Sequence, residues 1–226
     1  MNMRLKNIQN TLLVCVTALG YSSLPEAALI DRGGGLIYDD ILDVTWLQDP
    51  NYALTSGTDP DSTLDGRMVL SDANTWISNL TYFDTVRGVT YDDWRLPDMD
   101  INNDGTVVDC SSGGQTACQD NEYGHMYYYG GGSILGGGIT ASDPGPFDAF
   151  GVGSLGRYWS GTPGTQSLPS SYSFSFTTGN QLDLLNSSLA YVWAVRDGNV
   201  IPIPAAVWLF GSGLIALIGI ARRKKS

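Results

Sequence analysis

The chain has 226 residues, 42% of them hydrophobic and 11% aromatic, and carries a formal net charge of −11. An acidic field of this size excludes nucleic acid and sulfated polysaccharide as partners and favours divalent cations or basic ligands. Aromatic residues spread along the whole chain exclude an acidic disordered tail.

Both ends read as addresses. In residues 1–28, Arg4 and Lys6 precede an apolar stretch from Thr11 to Gly20, the pattern of a signal peptide and too short for a span. Cys15 lies within that stretch as a small hydrophobe, and Ala27 or Ala28 offers a cleavage point. In residues 200–226, a Pro202-Ile203-Pro204 step leads into an uncharged run from Ala205 to Ala221, followed by Arg222, Arg223, Lys224 and Lys225. A run of this length is just enough helix to cross roughly 30 Å of hydrocarbon. The basic cluster belongs on the cytoplasmic side, which puts everything before it outside. The alternative, a buried core helix, sits poorly with an end on four consecutive cations.

Residues 29–199 form one ordinary domain. They hold six arginines, no lysine and 22 acidic residues, a net charge of −16. Cys110 and Cys118 are an even pair suited to an oxidising compartment. Bonded, they close a short loop worth roughly 2.5 kcal/mol. A metal or redox site is the sharper reading, but there is no second cysteine pair, and His125 is the only histidine.

In chain order, Leu36-Ile-Tyr and Val44-Thr-Trp-Leu flank an acidic turn and read as a hairpin. Residues 51–66, rich in Thr, Asp and Pro, form a surface loop. Ser71 is placed to cap a helix from Asp72 to Leu80, whose Ala73, Trp76, Ile77 and Leu80 share one inward face. In Tyr91-Asp-Asp-Trp-Arg-Leu-Pro, Trp94 and Leu96 belong in the core, Pro97 ends the strand and Arg95 seeks a carboxylate. Tyr172-Ser-Phe-Ser-Phe alternates with period two, turns at Thr178-Gly-Asn and returns through Gln181-Leu-Asp-Leu-Leu. Tyr191 to Val195 reads as a near-continuous apolar strand at a sheet centre, with Arg196 just past it as the partner of an interior acid such as Asp93.

The most chemical stretch is Asp100-Ile-Asn-Asn-Asp-Gly-Thr. Asp100, Asn102 and Asp104 stand at positions one, three and five of an EF-hand-type calcium loop, with Gly105 at six and a carbonyl ligand at Thr106. Position twelve is Ser111 and not Glu, so Asp109 must supply the missing carboxylate. An Asn-Asp-Gly turn also forms without metal. His125 sits among aromatics with neither a nucleophile elbow nor a free cysteine, which favours a packed core residue. The Gly-rich stretch 130–138, with 145–150 after it, is no phosphate loop and reads as a long surface loop. Tyr127, Tyr128, Tyr129 and Trp159 could offer aromatic faces to sugar rings beside it; the bland reading makes them core and interface aromatics.

Two resemblances rest on these motifs. Pro202-Ile-Pro-Ala-Ala-Val-Trp-Leu, the apolar run and the basic tail resemble a PEP-CTERM sorting signal, which implies processing by an exosortase-like enzyme of a Gram-negative bacterium. Ile203 stands where the family motif has Glu. The Trp94-Arg-Leu-Pro step, Gly124-His-Met-Tyr-Tyr, Tyr158-Trp-Ser-Gly-Thr, the 172–184 hairpin and Trp193-Ala-Val-Arg resemble the Lcl C-terminal domain family of bacterial surface proteins. The Trp94-Arg-Leu-Pro step and the closing Ala194-Val-Arg strand are also similar to elements of formylglycine-generating enzymes and their C-type-lectin-like relatives; the free cysteines those enzymes use are not carried over, since the two here read as paired with each other. The resemblance implies an α+β, C-type-lectin-like domain with a short twisted antiparallel sheet and long loops, besides the one C-terminal transmembrane helix. The expectation is a protein exported by the Sec route, membrane-anchored with its N-terminal domain outside the cytoplasm, and delivered to the cell surface or matrix. It is expected to be non-enzymatic and to bind extracellular polysaccharide in adhesion or biofilm, with calcium as the one candidate cofactor. The alternatives are an enzyme acting on surface polymers and a purely structural matrix protein.

Overall fold

The computed structural model describes residues 29–60, 65–112, 114–130, 138–151 and 156–200. The signal-like residues 1–28, the Pro202-Ile203-Pro204 motif, the apolar run and residues 131–137 of the Gly-rich stretch lie outside the described residues. Among those described, no helix is long and apolar enough to cross a membrane.

The described residues open with three antiparallel strands, β1 (Leu29–Gly33), β2 (Leu36–Asp39) and β3 (Val44–Leu47). The β2–β3 hairpin falls where the two β-rich runs predict it. After a short helix α1 (Tyr52–Thr55) and β4 (Arg67–Met68), α2 (Leu70–Asn79) buries Ala73, Trp76 and Ile77, with Leu80 as its buried C-cap. The helix starts two residues earlier than the sequence suggests. Its N-cap is Val69, which has no side-chain cap, and Ser71 lies inside the first turn. The Leu70 N–H, left without an intrahelical partner, is met by the Asn186 carbonyl at 3.1 Å, a tertiary bond.

Next come the hairpin β5 (Tyr82–Asp84) and β6 (Val89–Tyr91), then α3 (Gln115–Cys118) and α4 (Glu122–Tyr129). The strands β7 (Arg157–Pro163), β8 (Ser170–Ser175) and β9 (Gln181–Leu185) form a meander, with the β8–β9 register running from Ser170↔Leu185 to Phe174↔Gln181. Then follow β10 (Ala190–Tyr191) and β11 (Val195–Asp197). The sheets run β1-β2-β3-β11, β4-β10-β7-β8-β9 and β5-β6. The domain is mixed α+β, dominated by sheet.

The apolar segment 191–195 is therefore not one central strand. Tyr191 belongs to the five-stranded sheet and Val195 to the edge of the four-stranded one, and Val192, Trp193 and Ala194 cross between them fully buried. Its uninterrupted hydrophobicity marks a crossing with core on every side. Trp193 stacks into the aromatic centre: its ring lies 4.5 Å from Trp46, 4.9 Å from Phe147 and 5.2 Å from Phe150. Its Nε1 donates to the Leu47 carbonyl at 2.7 Å.

Arg95 finds carboxylates, as its position beside Trp94 and Leu96 implies. Its guanidinium grips Glu122 through two bonds of 2.8 and 2.6 Å and also reaches Asp197. Glu122 accepts in addition from the Asp98 N–H at 2.7 Å. Burial pushes the Glu122 carboxyl up against the pull of Arg95. Burial alone would lower Arg95, but the two carboxylates overcome it and hold its charge. Arg196 pairs with Asp93 through two bonds of 2.7 Å, yet Asp93 is a surface residue with a side chain 54% exposed, not an interior acid. Glu122→Gln leaves Arg95 with the solvent-exposed Asp197 alone. A loss of about 2–3 kcal/mol in urea-unfolding stability is expected, and a loss below about 1 kcal/mol would show the pair to be dispensable.

Candidate functional site

The segment from Asp98 to Asp120 is built as a string of side chain-to-backbone bonds. Thr162 Oγ1 donates to Asp98 Oδ1 at 2.6 Å and anchors the start of the loop to β7. The Asp100 carboxylate accepts from the N–H groups of Asp104 (3.1 Å) and Gly105 (2.9 Å), and Asp104 Oδ1 accepts from Thr106 at 2.8 Å. Asn102 Oδ1 accepts from the Asp104 N–H at 2.8 Å. Asn103 and Gly105 take left-handed angles of φ 56° and 83°, which turn the chain tightly enough to aim these side chains inward.

A third carboxylate joins them. Single oxygens of Asp100, Asp104 and Asp120 lie within 4.8 Å of one another, and Asp120 Oδ1 also accepts from the Asn102 N–H at 2.8 Å. Asp109, the residue expected to complete a calcium loop, is not among them. Its Oδ1 accepts from the Ser111 N–H at 3.0 Å and hydroxyl at 2.6 Å. The Thr106 N–H goes to Asp104. Asp120 escapes a sequence reading because it follows the loop by 16 positions, counted from Asp104. The usable signal is the cysteine pair between them: Cys110 and Cys118 are bonded, which folds the chain back so that Asp120 returns to the loop. Gly124 makes room for that bond, since a Cβ there would stand 2.4 Å from Cys110 Sγ.

Beyond the disulfide, buried Asn121 caps α4 by accepting from the Gly124 N–H at 2.9 Å. Its Nδ2 donates to the Val108 carbonyl and to Gln181 Oε1, tying the acidic loop to β9. On the outer side of α4 lies a polar cleft of about 320 Å³ whose walls include Tyr128, Arg157, Asn180, Gln181, Asp109 and Ser111. Tyr128 Oη donates to the Gly179 carbonyl at 3.3 Å. Gly179 is fixed by φ 73° and by close approach: a Cβ would meet the Tyr127 ring at 2.4 Å and Tyr128 Oη at 2.7 Å.

The sequence-predicted aromatics divide. Tyr128 lines the cleft. Tyr127 is half-buried and packs edge-on against Phe174 and Tyr128. Trp159 offers no face to a ligand: it is fully buried, with Nε1 bonded to the Met68 carbonyl at 2.8 Å. Phe147 and Phe150, from the stretch read as surface loop, are likewise core. A second cleft of about 130 Å³ is lined by Asp49, Asp148, Tyr52 and Tyr82, where burial and then Asp49 raise the Asp148 carboxyl.

His125 is a core residue, fully buried beside Tyr129. Its Nδ1 lies 3.9 Å from Asp39 Oδ2, too far for a hydrogen bond, and among the described residues neither imidazole nitrogen has a hydrogen-bond partner. Burial lowers His125 to about 4 and raises Asp39 to about 6, the latter against the N–H bonds from Leu42 and Ile41. Between these values the folded state binds the Asp39 proton that the unfolded chain releases, so this term lowers stability as pH rises. His125 does the reverse, being neutral when folded and protonated when unfolded, and the two slopes oppose each other. Asp39→Asn keeps the acceptor for both N–H groups and removes one slope. Its unfolding free energy is expected to rise more steeply than the parent's from pH 4 to 6, by up to about 1.4 kcal/mol per pH unit. Parallel profiles in denaturant titrations at pH 4, 5 and 6 would refute the assignment.

Comparison with protein-family models, with curated proteins and with solved structures finds no match for this chain.

Proposed function

We propose that this chain is an exported, non-enzymatic surface protein whose 29–199 domain binds extracellular polysaccharide or another matrix component. The observation that carries the reading is the cleft beside α4. It joins an aromatic wall at Tyr128 to amide and hydroxyl groups suited to sugar hydroxyls, and it is tied through Asn121 and Asp109 to the acidic loop. The motif resemblance to the Lcl C-terminal domain family supports a C-type-lectin-like arrangement of that domain. The signal-like residues 1–28 and the resemblance of 200–226 to a PEP-CTERM signal support Sec export, a transmembrane helix held in the inner membrane and an exosortase-like processing partner. The purified full chain is expected to bind an extracellular polysaccharide saturably, and Tyr128→Ala to weaken that binding about tenfold. Non-saturable or absent binding across neutral and weakly acidic polysaccharides would leave only a structural matrix role.

Calcium is the proposed cofactor, held by Asp100, Asp104 and Asp120 with Asn102 and the Thr106 carbonyl alongside. Three carboxylates and neutral oxygens fit a hard cation that takes six to eight oxygen ligands. Millimolar calcium is expected to raise the thermal midpoint, and Asp120→Asn to abolish the rise while Asp109→Asn keeps it. No shift in the parent protein would remove calcium from the proposal.

One observation favours the enzymatic alternative: Asp49 and Asp148 share a cleft, and Asp148 is held partly towards its protonated form. Against it, both Asp49 oxygens are engaged, by the Asn51 N–H and the Thr55 hydroxyl, as a local anchor for α1. Turnover of a surface polymer abolished by Asp148→Asn would establish the enzyme in place of the binding protein.

A further inference from the structure

Arginine placement sets one residue apart. Arg67, Arg87, Arg95 and Arg196 each meet a carboxylate within 2.7 Å, and the Arg32 guanidinium lies over the Tyr38 ring at 5.1 Å. Arg157 does neither. Among the described residues its guanidinium forms no ion pair, no hydrogen bond and no ring contact, and its Nη1 is buried without a partner. Burial acts on its charge with no acid opposing it. Among the described residues, Arg157 is thus the arginine with neither a carboxylate nor a ring against its guanidinium. A guanidinium on a cleft wall that no protein carboxylate neutralises is open to an acceptor supplied by a ligand.

Arg157 is also placed for such a ligand. Its register partner in β8 is Ser175, and it lines the cleft together with Asn180 and Gln181, where the chain returns into β9. The guanidinium fork matches a planar two-oxygen anion. Charge decides which anion. Asp109 lines the same cleft, and the domain as a whole is strongly negative, so a dianion such as a phosphate monoester is repelled more than a single carboxylate. The remaining walls, Tyr128 with the Asn180 and Gln181 amides, suit a pyranose ring and its hydroxyls.

We infer that the cleft between α4 and the β8–β9 turn recognises a sugar acid, with Arg157 clamping the carboxylate of a single uronate residue against the Tyr128 wall. The inference rests on the polysaccharide-binding reading and narrows it: the ligand is a chain carrying isolated uronates among neutral sugars. Arg157 gives binding its preference for the acid, while Tyr128 and the amides hold the ring whether or not it bears a carboxylate.

The test is calorimetric titration of the purified full chain with a tetrasaccharide bearing one uronate and with its carboxyl-reduced neutral counterpart. Both are run with a chelator present, so that a calcium bridge cannot supply the contact. The uronate probe is expected to bind at least about tenfold more tightly than the neutral one. Arg157→Gln should erase that preference by lowering uronate affinity to that of the neutral probe, with no fall in thermal midpoint to signal misfolding, and Arg157→Lys should keep only part of it. Equal binding of the two probes, or a preference that survives Arg157→Gln, overturns the sugar-acid assignment and leaves polysaccharide binding standing. Inorganic phosphate displacing the uronate at lower concentration than acetate also overturns it, by showing that the clamp selects phosphate. Absence of binding by either probe, together with no binding of neutral polysaccharides, overturns both readings.

Discussion

The fold depends on Trp193. Here the chain leaves the five-stranded sheet at Tyr191 and enters the four-stranded sheet at Val195, and a side chain at the crossing must satisfy both. The indole does so by contact with Trp46 of the first sheet, with Phe176 just past β8, and with Phe147 and Phe150 from the intervening loop. Tyr123 of α4 lies 6.3 Å away and Tyr158 of β7 6.2 Å away. Aromatic pairs at these separations add to the free energy of burying so much ring surface. The Nε1 donor is not left orphaned, because the Leu47 carbonyl at the end of β3 takes it. One residue thus fixes the spacing of two sheets, a helix and a loop.

Arginine distribution gives the acidic domain its second layer of order. Arg95 holds the start of the 98–120 segment, the first turn of α4 and the end of β11 through Glu122 and Asp197. Arg87, nearly fully buried with Asp84, closes the β5–β6 turn and reaches the Arg32 carbonyl. Like charges elsewhere on the surface repel, so compactness relies on these few cations standing where carboxylates converge. The polar cleft beside α4 inherits its rigidity from that arrangement. Glu122 positions the helix, Asn121 binds helix to loop and strand, and the disulfide folds the intervening hairpin.

Much of this was legible. The β2–β3 and β8–β9 hairpins follow from period-two patterning and turn residues, and α2 from its Ala73, Trp76, Ile77 stripe. The Arg95–carboxylate and Arg196–Asp93 contacts follow from charge beside core residues. The misreadings share a cause. Ser71 was the better local cap, but Asn186 supplied the bond from a distant turn. Trp159 was offered as a face for sugar rings, whereas it is fully buried in β7 between buried Tyr158 and Ser160. Asp109 fitted the spacing of a calcium loop, whereas Asp120 fitted the space.

The sequence by itself determined the sheet-rich α+β character, the local hairpins, the inward face of α2, the pairing of the cysteines and the excess of carboxylates. These depend on periodicity, turn propensity and composition, which act within a few residues or over the whole chain. Only the tertiary structure decided that residues 191–195 cross between sheets, that Asp120 completes the acidic cluster and that His125 is sealed in the core. It alone decided that Arg157 lines a cleft and meets no carboxylate among the described residues. Each of these is a matter of which distant groups meet, and burial and unmet hydrogen bonds have no existence until the chain has closed around them.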